Sequence, residues 1–354
     1  MRLLVTGGAG FVGANLALAF KRDFPAWQVT ALDNLYRKGS ELSVPRLAAA
    51  GVTFERGDVR TREDIDRCGA FDLLIECSAE PSAKAGYGES PGYLIDTNLG
   101  GAVNCLEACR ENKAGMVFLS TSRVYPLAGL RDLPLVDTPD GLDVPRDAAG
   151  PGWSYQGVTV DFPLTGPRSL YGATKLGAEL LITEYVHAYD LPCTVLRAGM
   201  ISGSWQMGKV DQGVVVLWAS RHLFGGTLDY IGWGGTGQQR RDVLHVDDLY
   251  DLVRLQAEDL STYQGRVFNA GGGRCNAVSL RALTAACEER AGRSTAIGSV
   301  ADTHDSDIPW YVTDNAAVTA ATGWAPKRTL DVILDDVFDW LHAHRATLQP
   351  LLAG

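Results

Sequence analysis

A run of closely spaced glycines near the start of the chain, Gly7-Gly8-Ala9-Gly10-Phe11-Val12-Gly13, most constrains how it can fold. The run lies between a short apolar strand, Arg2–Thr6, and a stretch with apolar residues at helical spacing, Phe11–Arg22. Glycines at positions 7, 10 and 13 permit a tight turn, close approach of the backbone to a pyrophosphate, and close packing of the helix. The free amides at the start of the helix then face the phosphates. The sequence therefore predicts a strand-turn-helix unit that binds a dinucleotide.

Strand and helix signals continue to alternate after this unit. This rhythm predicts an α/β fold, a doubly wound parallel sheet of the Rossmann type with helices on both faces. The further strands are predicted at Gln28–Asp33, Val52–Arg56, Phe71–Glu76, Gly115–Ser120 and Cys193–Arg197, and the longest helices at Tyr93–Glu111 and Ser169–Tyr189.

We expect two domains. Residues 1–198 form the dinucleotide-binding domain, and residues 127–168, rich in Pro, Gly and Asp, form a loop over the active site. Residues 199–354 form mainly a smaller C-terminal lobe that binds substrate at the carboxyl edge of the sheet, with some segments returning to the first domain. Helices are predicted in this part at Val246–Glu258, Leu280–Ala291 and Leu330–His344.

Acidic residues at the ends of two strands indicate which dinucleotide binds. Asp33 ends the second strand, twenty residues after Gly13. A carboxylate there accepts hydrogen bonds from the adenosine ribose and repels a 2′-phosphate, which favours NAD over NADP. Arg37 and Lys38 follow and could accept a phosphate. Asp58 follows the third strand and is predicted to lie near the adenine amino group.

A tyrosine and a lysine four residues apart, in Tyr171-Gly172-Ala173-Thr174-Lys175, share one face of a predicted helix. An ammonium beside a phenol stabilises the phenolate, so that the phenol can act as acid and base near neutral pH. Ser120-Thr121-Ser122 closes the fifth strand at the carboxyl edge of the sheet, where a hydroxyl can bond a substrate oxygen. The sequence therefore predicts a proton-transfer site.

Composition and spacing exclude several other functions. The formal charge is −10 and no cluster of Lys and Arg provides a basic face, so a nucleic-acid partner is not expected. The longest purely apolar run, Val214–Ala219, is far shorter than the roughly 20 residues that span a bilayer. Seven scattered cysteines without a Cys-x-x-Cys pair predict reduced thiols in a cytoplasmic protein. His342 and His344 point to different helix faces, so no metal site is expected.

These motifs together resemble the extended short-chain dehydrogenase/reductase superfamily of nucleotide-sugar enzymes. The resemblance covers nearly the whole chain and includes a further motif, Arg241-Asp242-Val243-Leu244-His245-Val246-Asp247-Asp248-Leu249. Within the superfamily the finer features are similar to the NAD-dependent CDP-paratose 2-epimerases. These features are Asp33-Asn34-Leu35 with Arg37-Lys38-Gly39, Thr121-Ser122-Arg123-Val124-Tyr125, and Gln206 followed by Asp211-Gln212-Gly213.

The resemblance implies roles for individual residues. Tyr171 would be the acid/base, Lys175 would stabilise its phenolate and bind the nicotinamide ribose, and Thr121 would be the catalytic hydroxyl. Arg241 would contact the diphosphate of a nucleotide-diphosphate sugar, and Gln206 and Asp211 would lie near its sugar or nucleotide. A homodimer is expected by the same analogy. The residues implied to bind NAD are Gly7, Gly10, Phe11, Val12, Gly13, Asp33, Asn34, Asp58, Val59, Ser78, Ala79, Glu80, Asn98, Tyr171 and Lys175.

The sequence departs from the pattern at two places. Relatives usually have His-x-Ala-Ala or Ala-Gly at the end of the fourth strand, where this chain has Glu76-Cys77-Ser78-Ala79-Glu80. We expect Ser78 and Ala79 still to flank the cofactor, with Glu80 adding a charge near the pocket. Met200 stands where the family often has an Asn that contacts a phosphate.

The residues after Thr121 separate the possible reactions. A 4,6-dehydratase would place Asp-Glu there and a sugar-acid decarboxylase a Glu at position 123, whereas this chain has Ser122-Arg123. A simple reductase would favour NADPH, against Asp33. An epimerase that oxidises a sugar to a keto intermediate and returns the hydride is therefore expected, acting at C2 or, as the alternative, at C4 of a UDP-sugar. A non-catalytic NAD(H)-sensing protein is the alternative outside the enzymes.

Overall fold

Strands and helices alternate along the chain in the computed structural model, which describes residues 1–210 and 212–353. Asp211, predicted to lie near the substrate, is outside the described residues. The strands are β1 (Arg2–Thr6), β2 (Gln28–Asp33), β3 (Thr53–Arg56), β4 (Leu73–Glu76), β5 (Gly115–Thr121), β6 (Val136–Thr138), β7 (Gly141–Asp143), β8 (Ala149–Gly150), β9 (Trp153–Ser154), β10 (Gly157–Val158), β11 (Cys193–Ala198), β12 (Met200–Ser202), β13 (Leu228–Ile231), β14 (Arg240–His245), β15 (Val267–Ala270), β16 (Ala277–Ser279), β17 (Ile297–Val300) and β18 (Trp310–Tyr311).

The helices match most of the predicted helical segments. A π-helical turn, Asp96–Gly100, joins α4 to α5 within the segment predicted as one continuous helix. The α-helices are α1 (Phe11–Asp23), α2 (Ser43–Ala49), α3 (Arg62–Asp66), α4 (Gly92–Ile95), α5 (Gly101–Asn112), α6 (Leu127–Arg131), α7 (Leu170–Tyr189), α8 (Val214–Phe224), α9 (Val246–Glu258), α10 (Leu280–Ala291), α11 (Ala316–Thr322), α12 (Leu330–Ala343) and α13 (Arg345–Leu352).

The largest sheet has seven strands in the order β15-β11-β5-β4-β1-β2-β3. From β5 to β3 neighbouring strands run parallel, and Val5 of β1 is level with Ile75 of β4 and Ala31 of β2. The direction of the strand order changes at β1, which places a topological switch point between β1 and β4. The predicted doubly wound sheet is confirmed. The sequence does not predict β15, because four residues that include a buried Asn269 give no apolar run.

The chain divides into two compact units. The first consists of Met1–Val124, Ser169–Arg197 and Leu249–Phe268, and the second of Tyr125–Arg168, Ala198–Asp248 and the residues from Asn269 onward. The domain boundary near residue 198 and the assignment of the later residues to substrate binding stay predictions. Within the described residues, no helix is both long enough and apolar enough to cross a membrane.

Helices of the first unit bury its sheet. Alternate residues of the central strands, including Leu4, Leu74 and Phe118, join Cys105 of α5 and Ile182 of α7 in one apolar cluster. Their side chains share a face because the side-chain period of a strand is two. In the same unit α1 packs on α9 through an edge-to-face contact of two rings, with centroids 5.1 Å apart, between Phe20 and Tyr250.

The second unit contains the segment predicted as a loop, residues 127–168. This segment forms α6 and two small antiparallel sheets, the pair β6–β7 and the three strands β8, β9 and β10. Each of these strands has only two or three residues, which is too short to give a recognisable alternation in the sequence.

The glycine turn between β1 and α1 packs against the end of β4. Gly7 has a positive φ of 61°, and a Cβ built on it would lie 2.8 Å from the carbonyl carbon of Cys77 and 2.9 Å from the backbone nitrogen of Ser78. A Cβ on Gly13 would overlap the carbonyl oxygen of Gly7. Both positions therefore require glycine, because the backbone of one segment occupies the space a side chain would need.

We predict that Gly7→Ala destabilises the protein far more than Gly69→Ala. Gly69 also has a positive φ, of 75°, but nothing lies within 4 Å of a Cβ built on it. Gly69→Ala should lower the free energy of unfolding by about 1–2 kcal/mol, the cost of the left-handed conformation. Gly7→Ala adds overpacking, for a total of about 2–5 kcal/mol. Urea unfolding followed by tryptophan fluorescence measures both, and equal losses would contradict the packing of this turn.

Candidate active site

The start of α1 presents backbone amides at the switch point. Gly10 caps the helix, which within the described residues has neither a side-chain cap nor an acidic residue in its first turn. Phe11 and Val12 open the helix with partly buried side chains. The positive end of the helix and its amides therefore favour an anion here. Three of the four residues of this turn, Gly7, Gly8 and Gly10, have no side chain, which fits the close approach of a dinucleotide's pyrophosphate.

Asp33 ties the end of β2 to the glycine turn. Its Oδ2 accepts a hydrogen bond from the backbone amide of Ala9 at 3.0 Å, and its Oδ1 accepts one from the amide of Leu35 at 2.8 Å. Burial raises the pKa of Asp33, while these amide hydrogen bonds oppose the shift. The structure therefore places the carboxylate beside the glycine turn, and its contact with the adenosine ribose stays a prediction.

Asp58 lies within a polar group at the end of β3. Its Oδ2 accepts hydrogen bonds at 2.8 Å from Nδ2 of Asn34 and from the guanidinium of Arg60. Burial by itself would raise the pKa of Asp58, but these bonds hold it at about 2. The carboxylate is therefore ionised at neutral pH. The next residue, Val59, is buried, and its carbonyl accepts from Asn104 on α5 at 2.8 Å.

Asn98 in the π-helical turn fixes the segment after β4. Its Oδ1 accepts from the backbone amide of Glu80 at 2.8 Å, and its Nδ2 donates to the carbonyl of Glu80 at 3.1 Å and to the hydroxyl of Thr174 at 3.3 Å. The side chain is 1% exposed. Asn98 thus holds the segment that contains Ser78 and Ala79 against α7, and π-helical turns are frequent at functional sites.

The tyrosine and the lysine of the predicted proton-transfer site lie in the first two turns of α7. The hydroxyl of Ser169 caps this helix by accepting from the amide of Gly172 at 3.1 Å. Tyr171 is 9% exposed and Lys175 is 2% exposed. The structure therefore places both residues on one helix at the spacing that brings side chains together.

Lys175 has a charge partner to which the sequence assigned no role. Its Nζ lies 3.3 Å from a carboxylate oxygen of Glu76, which is also 2% exposed. The same ammonium lies 4.1 Å from the centroid of the Phe118 ring. Burial raises the pKa of Glu76, and the charge of Lys175 opposes that shift. The only sequence signal for this residue is a carboxylate at the position where the related pattern His-x-Ala-Ala has His.

Two adjacent hydroxyls at the end of β5 have different surroundings. The hydroxyl of Ser120 donates to Glu179, whose carboxylate also pairs with the guanidinium of Arg197 at 2.8 Å. The Oγ1 of Thr121 accepts from the backbone amide of Arg123 at 3.2 Å, which leaves the hydroxyl proton to donate to another group. Of the two, Thr121 is therefore the hydroxyl suited to a substrate oxygen.

The second unit contains the two described residues predicted to bind substrate. The side-chain amide of Gln206 accepts from the hydroxyl of Ser202 at 3.1 Å and donates to the carbonyl of Ile201 at 2.9 Å. Arg241 donates to the carbonyls of Arg240 and Ile308 and lies 3.3 Å from the carboxylate of Asp307. Their contacts with a substrate stay predictions. Among the described residues, no group of three His, Cys, Asp or Glu could hold a metal.

We predict that Asp33→Ala weakens NAD binding and relaxes discrimination against NADP. The variant removes both a hydrogen-bond acceptor for the ribose and a negative charge that repels a 2′-phosphate. Titration of the protein with each cofactor, followed by fluorescence, measures the ratio of the two dissociation constants. Asp72→Ala is the control, because Asp72 is paired with Arg2 in an exposed salt bridge. An unchanged ratio in Asp33→Ala would contradict the assignment.

The family of the chain follows from comparison with known proteins. Residues 3–271 match the model of the NAD dependent epimerase/dehydratase family. Over 357 aligned residues the chain is 28% identical to the CDP-paratose 2-epimerase of Salmonella typhi, covering 96% of this chain and 99% of that protein.

Two solved structures have the same fold. The UDP-glucose 4-epimerase of Thermus thermophilus, in complex with NAD, has a TM-score of 0.76 and 26% identity, covering 97% of this chain and 99% of that one. A double mutant of the dTDP-glucose 4,6-dehydratase DesIV of Streptomyces venezuelae, with NAD bound, has a TM-score of 0.80 and 25% identity. This match covers 99% of this chain and 100% of that one. The expected resemblance to the extended short-chain dehydrogenase/reductases is confirmed. The chain therefore belongs to the NAD dependent epimerase/dehydratase family, and NAD is its cofactor.

Proposed function

We propose that this protein is an epimerase of nucleotide-diphosphate sugars that oxidises one sugar carbon to a ketone and then returns the hydrogen to its other face. The observation that carries the proposal is the buried pair of Tyr171 and Lys175 in the first turns of α7. A non-catalytic NAD-binding protein has no need for an acid/base of this kind. The family membership supports the same class of chemistry.

Different residues of the first unit would carry out proton transfer, bind the sugar oxygen and hold the cofactor. Tyr171 takes the proton of the sugar hydroxyl during oxidation and gives it back during reduction. Lys175 stabilises the phenolate that forms in between. The hydroxyl of Thr121 donates to the sugar oxygen as it becomes a carbonyl. When bound, NAD would supply the acceptor for the hydride and the donor that returns it. The glycine turn and Asp33 would hold the cofactor, together with Asn34, Asp58, Val59 and the segment Ser78-Ala79-Glu80 that Asn98 fixes.

We propose a CDP-paratose 2-epimerase-like reaction, acting at C2 of the sugar. The 28% identity to the Salmonella typhi enzyme over nearly both full lengths supports this assignment. A UDP-sugar 4-epimerase is the second candidate, which the similarity to the Thermus thermophilus enzyme supports. Ser122-Arg123 after Thr121 disfavours a 4,6-dehydratase, although one is among the similar structures. In either epimerase Arg241 would contact the substrate diphosphate, and Gln206 and Asp211 would lie near the sugar or nucleotide.

We further propose that the enzyme is a cytoplasmic homodimer. Leu180, on the outer face of α7, is an apolar side chain that is 63% exposed. A second copy of the chain packed on this face of the helix would bury it. All seven cysteines are free thiols, which is consistent with a reducing compartment.

We predict that Tyr171→Phe lowers turnover of CDP-paratose by about 10²–10⁴-fold, the usual effect of removing one positioned acid/base. The variant keeps the ring and deletes the proton carrier, so binding of the nucleotide sugar should change little. Tyr185→Phe is the matched control, because Tyr185 lies on the same helix and its hydroxyl donates to Glu107 at 2.5 Å. Steady-state turnover and calorimetric binding measure the two effects.

Two outcomes would contradict the proposal. Near-normal turnover by Tyr171→Phe would mean that another group is the base. A loss of turnover as large in Tyr185→Phe as in Tyr171→Phe would mean that the effect comes from α7 as a whole rather than from the proton carrier.

A further inference from the structure

A carboxylate occupies a position on β4 that the strand alternation assigns to the apolar core. Leu74, two residues before Glu76, belongs to the buried cluster between the sheet, α5 and α7. Glu76 faces the same side because the side-chain period of a strand is two. It is level with Thr6 on β1 and with Phe118 on β5. A buried carboxylate at such a position needs a partner, since isolated burial of a charge is costly.

The partner of Glu76 is the lysine of the proposed proton-transfer site. The two charged atoms are 3.3 Å apart, and each side chain is 2% exposed. Among the described residues, the other titratable groups on which Glu76 acts are the thiols of Cys77, next to it in the chain, and of Cys105 on α5. Burial raises the pKa of both thiols well above the usual range, so they stay neutral. Glu76 is therefore the group that balances the charge of Lys175.

We propose that Glu76 is a positioning residue that holds the Lys175 ammonium in place and offsets part of its charge, and so sets how readily Tyr171 gives up its proton. The proposal rests on the proposed role of Tyr171. A buried ammonium favours a phenolate beside it, and does so more strongly when it has no counter-charge. The ammonium in turn favours the ionised form of Glu76 against the effect of burial, and the pair places less net charge beside the phenol than the ammonium alone would.

The inference is tested with Glu76→Gln, which keeps the size of the side chain and an oxygen that can accept from Lys175 but removes the charge. The acid limb of the profile of kcat/KM against pH should move to lower pH by about one unit. The ionisation of Tyr171 is measured without substrate, as tyrosinate absorbance against pH. The signal of Tyr171 is the absorbance of the Glu76→Gln protein minus that of the double variant Glu76→Gln, Tyr171→Phe, and wild type minus Tyr171→Phe gives the reference. The midpoint of this signal should fall by about one pH unit between the wild type and Glu76→Gln.

Two further variants separate a charge effect from a general effect of mutation. Glu179→Gln also removes a buried carboxylate from an ion pair on α7, with Arg197, and should leave the midpoint unchanged. Glu76→Asp keeps the charge and should restore the wild-type midpoint. An unchanged midpoint in Glu76→Gln, a shift to higher pH, or an equal shift in Glu179→Gln would each overturn the inference.

If Glu76→Gln alone does not fold, Glu76→His removes the negative charge with the residue that the related pattern has at this position. The midpoint should again fall below the wild-type value, and an unchanged midpoint would overturn the inference. This result is independent of turnover. A Tyr171→Phe variant that retains activity would instead overturn the proposed function, so the two failures are distinguishable.

Discussion

The first unit depends on one close approach, that of the glycine turn to the end of β4. The backbone of Gly7 lies against Cys77 and Ser78 with no room for a Cβ, and Gly13 packs in turn on Gly7. The contact brings three segments together at the switch point of the sheet. It holds the start of α1 above the strands. It also places the amide of Ala9 where it donates to the carboxylate of Asp33, and it fixes the position of the residues that follow Glu76.

A second constraint is electrostatic and acts on α7. Two consecutive turns of this helix present charged side chains to the sheet, where Lys175 pairs with Glu76 and Glu179 pairs with Arg197. Buried ion pairs contribute little net stability because desolvation offsets their attraction. Breaking one leaves a buried charge without a counter-charge, so the two pairs together disfavour other placements of the helix on the sheet. The position of Tyr171 follows from that placement, because it lies one turn before Lys175.

The sequence was sufficient to predict those features that depend on local pattern. The glycine turn, strands β1–β5 and β11, and the longest helices have the expected spacing, and Tyr171 and Lys175 are four residues apart. Contacts between distant positions were not predictable in this way. Glu76 and Lys175 are 99 residues apart and Asn98 and Thr174 are 76 apart, so no periodicity connects them. A carboxylate on an apolar strand face indicates that a partner exists, but not which cation supplies it.

The most direct test of the proposed chemistry follows the hydrogen of the reacting sugar carbon. With CDP-paratose that carries deuterium at C2, turnover should slow and the product should retain the label at C2, with no hydrogen entering from water. Substrate labelled at C4 should show no primary isotope effect. An effect only at C4 would indicate a 4-epimerase. Loss of the label to water at either carbon would contradict the account, because it would mean that the carbon is inverted by enolisation and not by return of its own hydrogen.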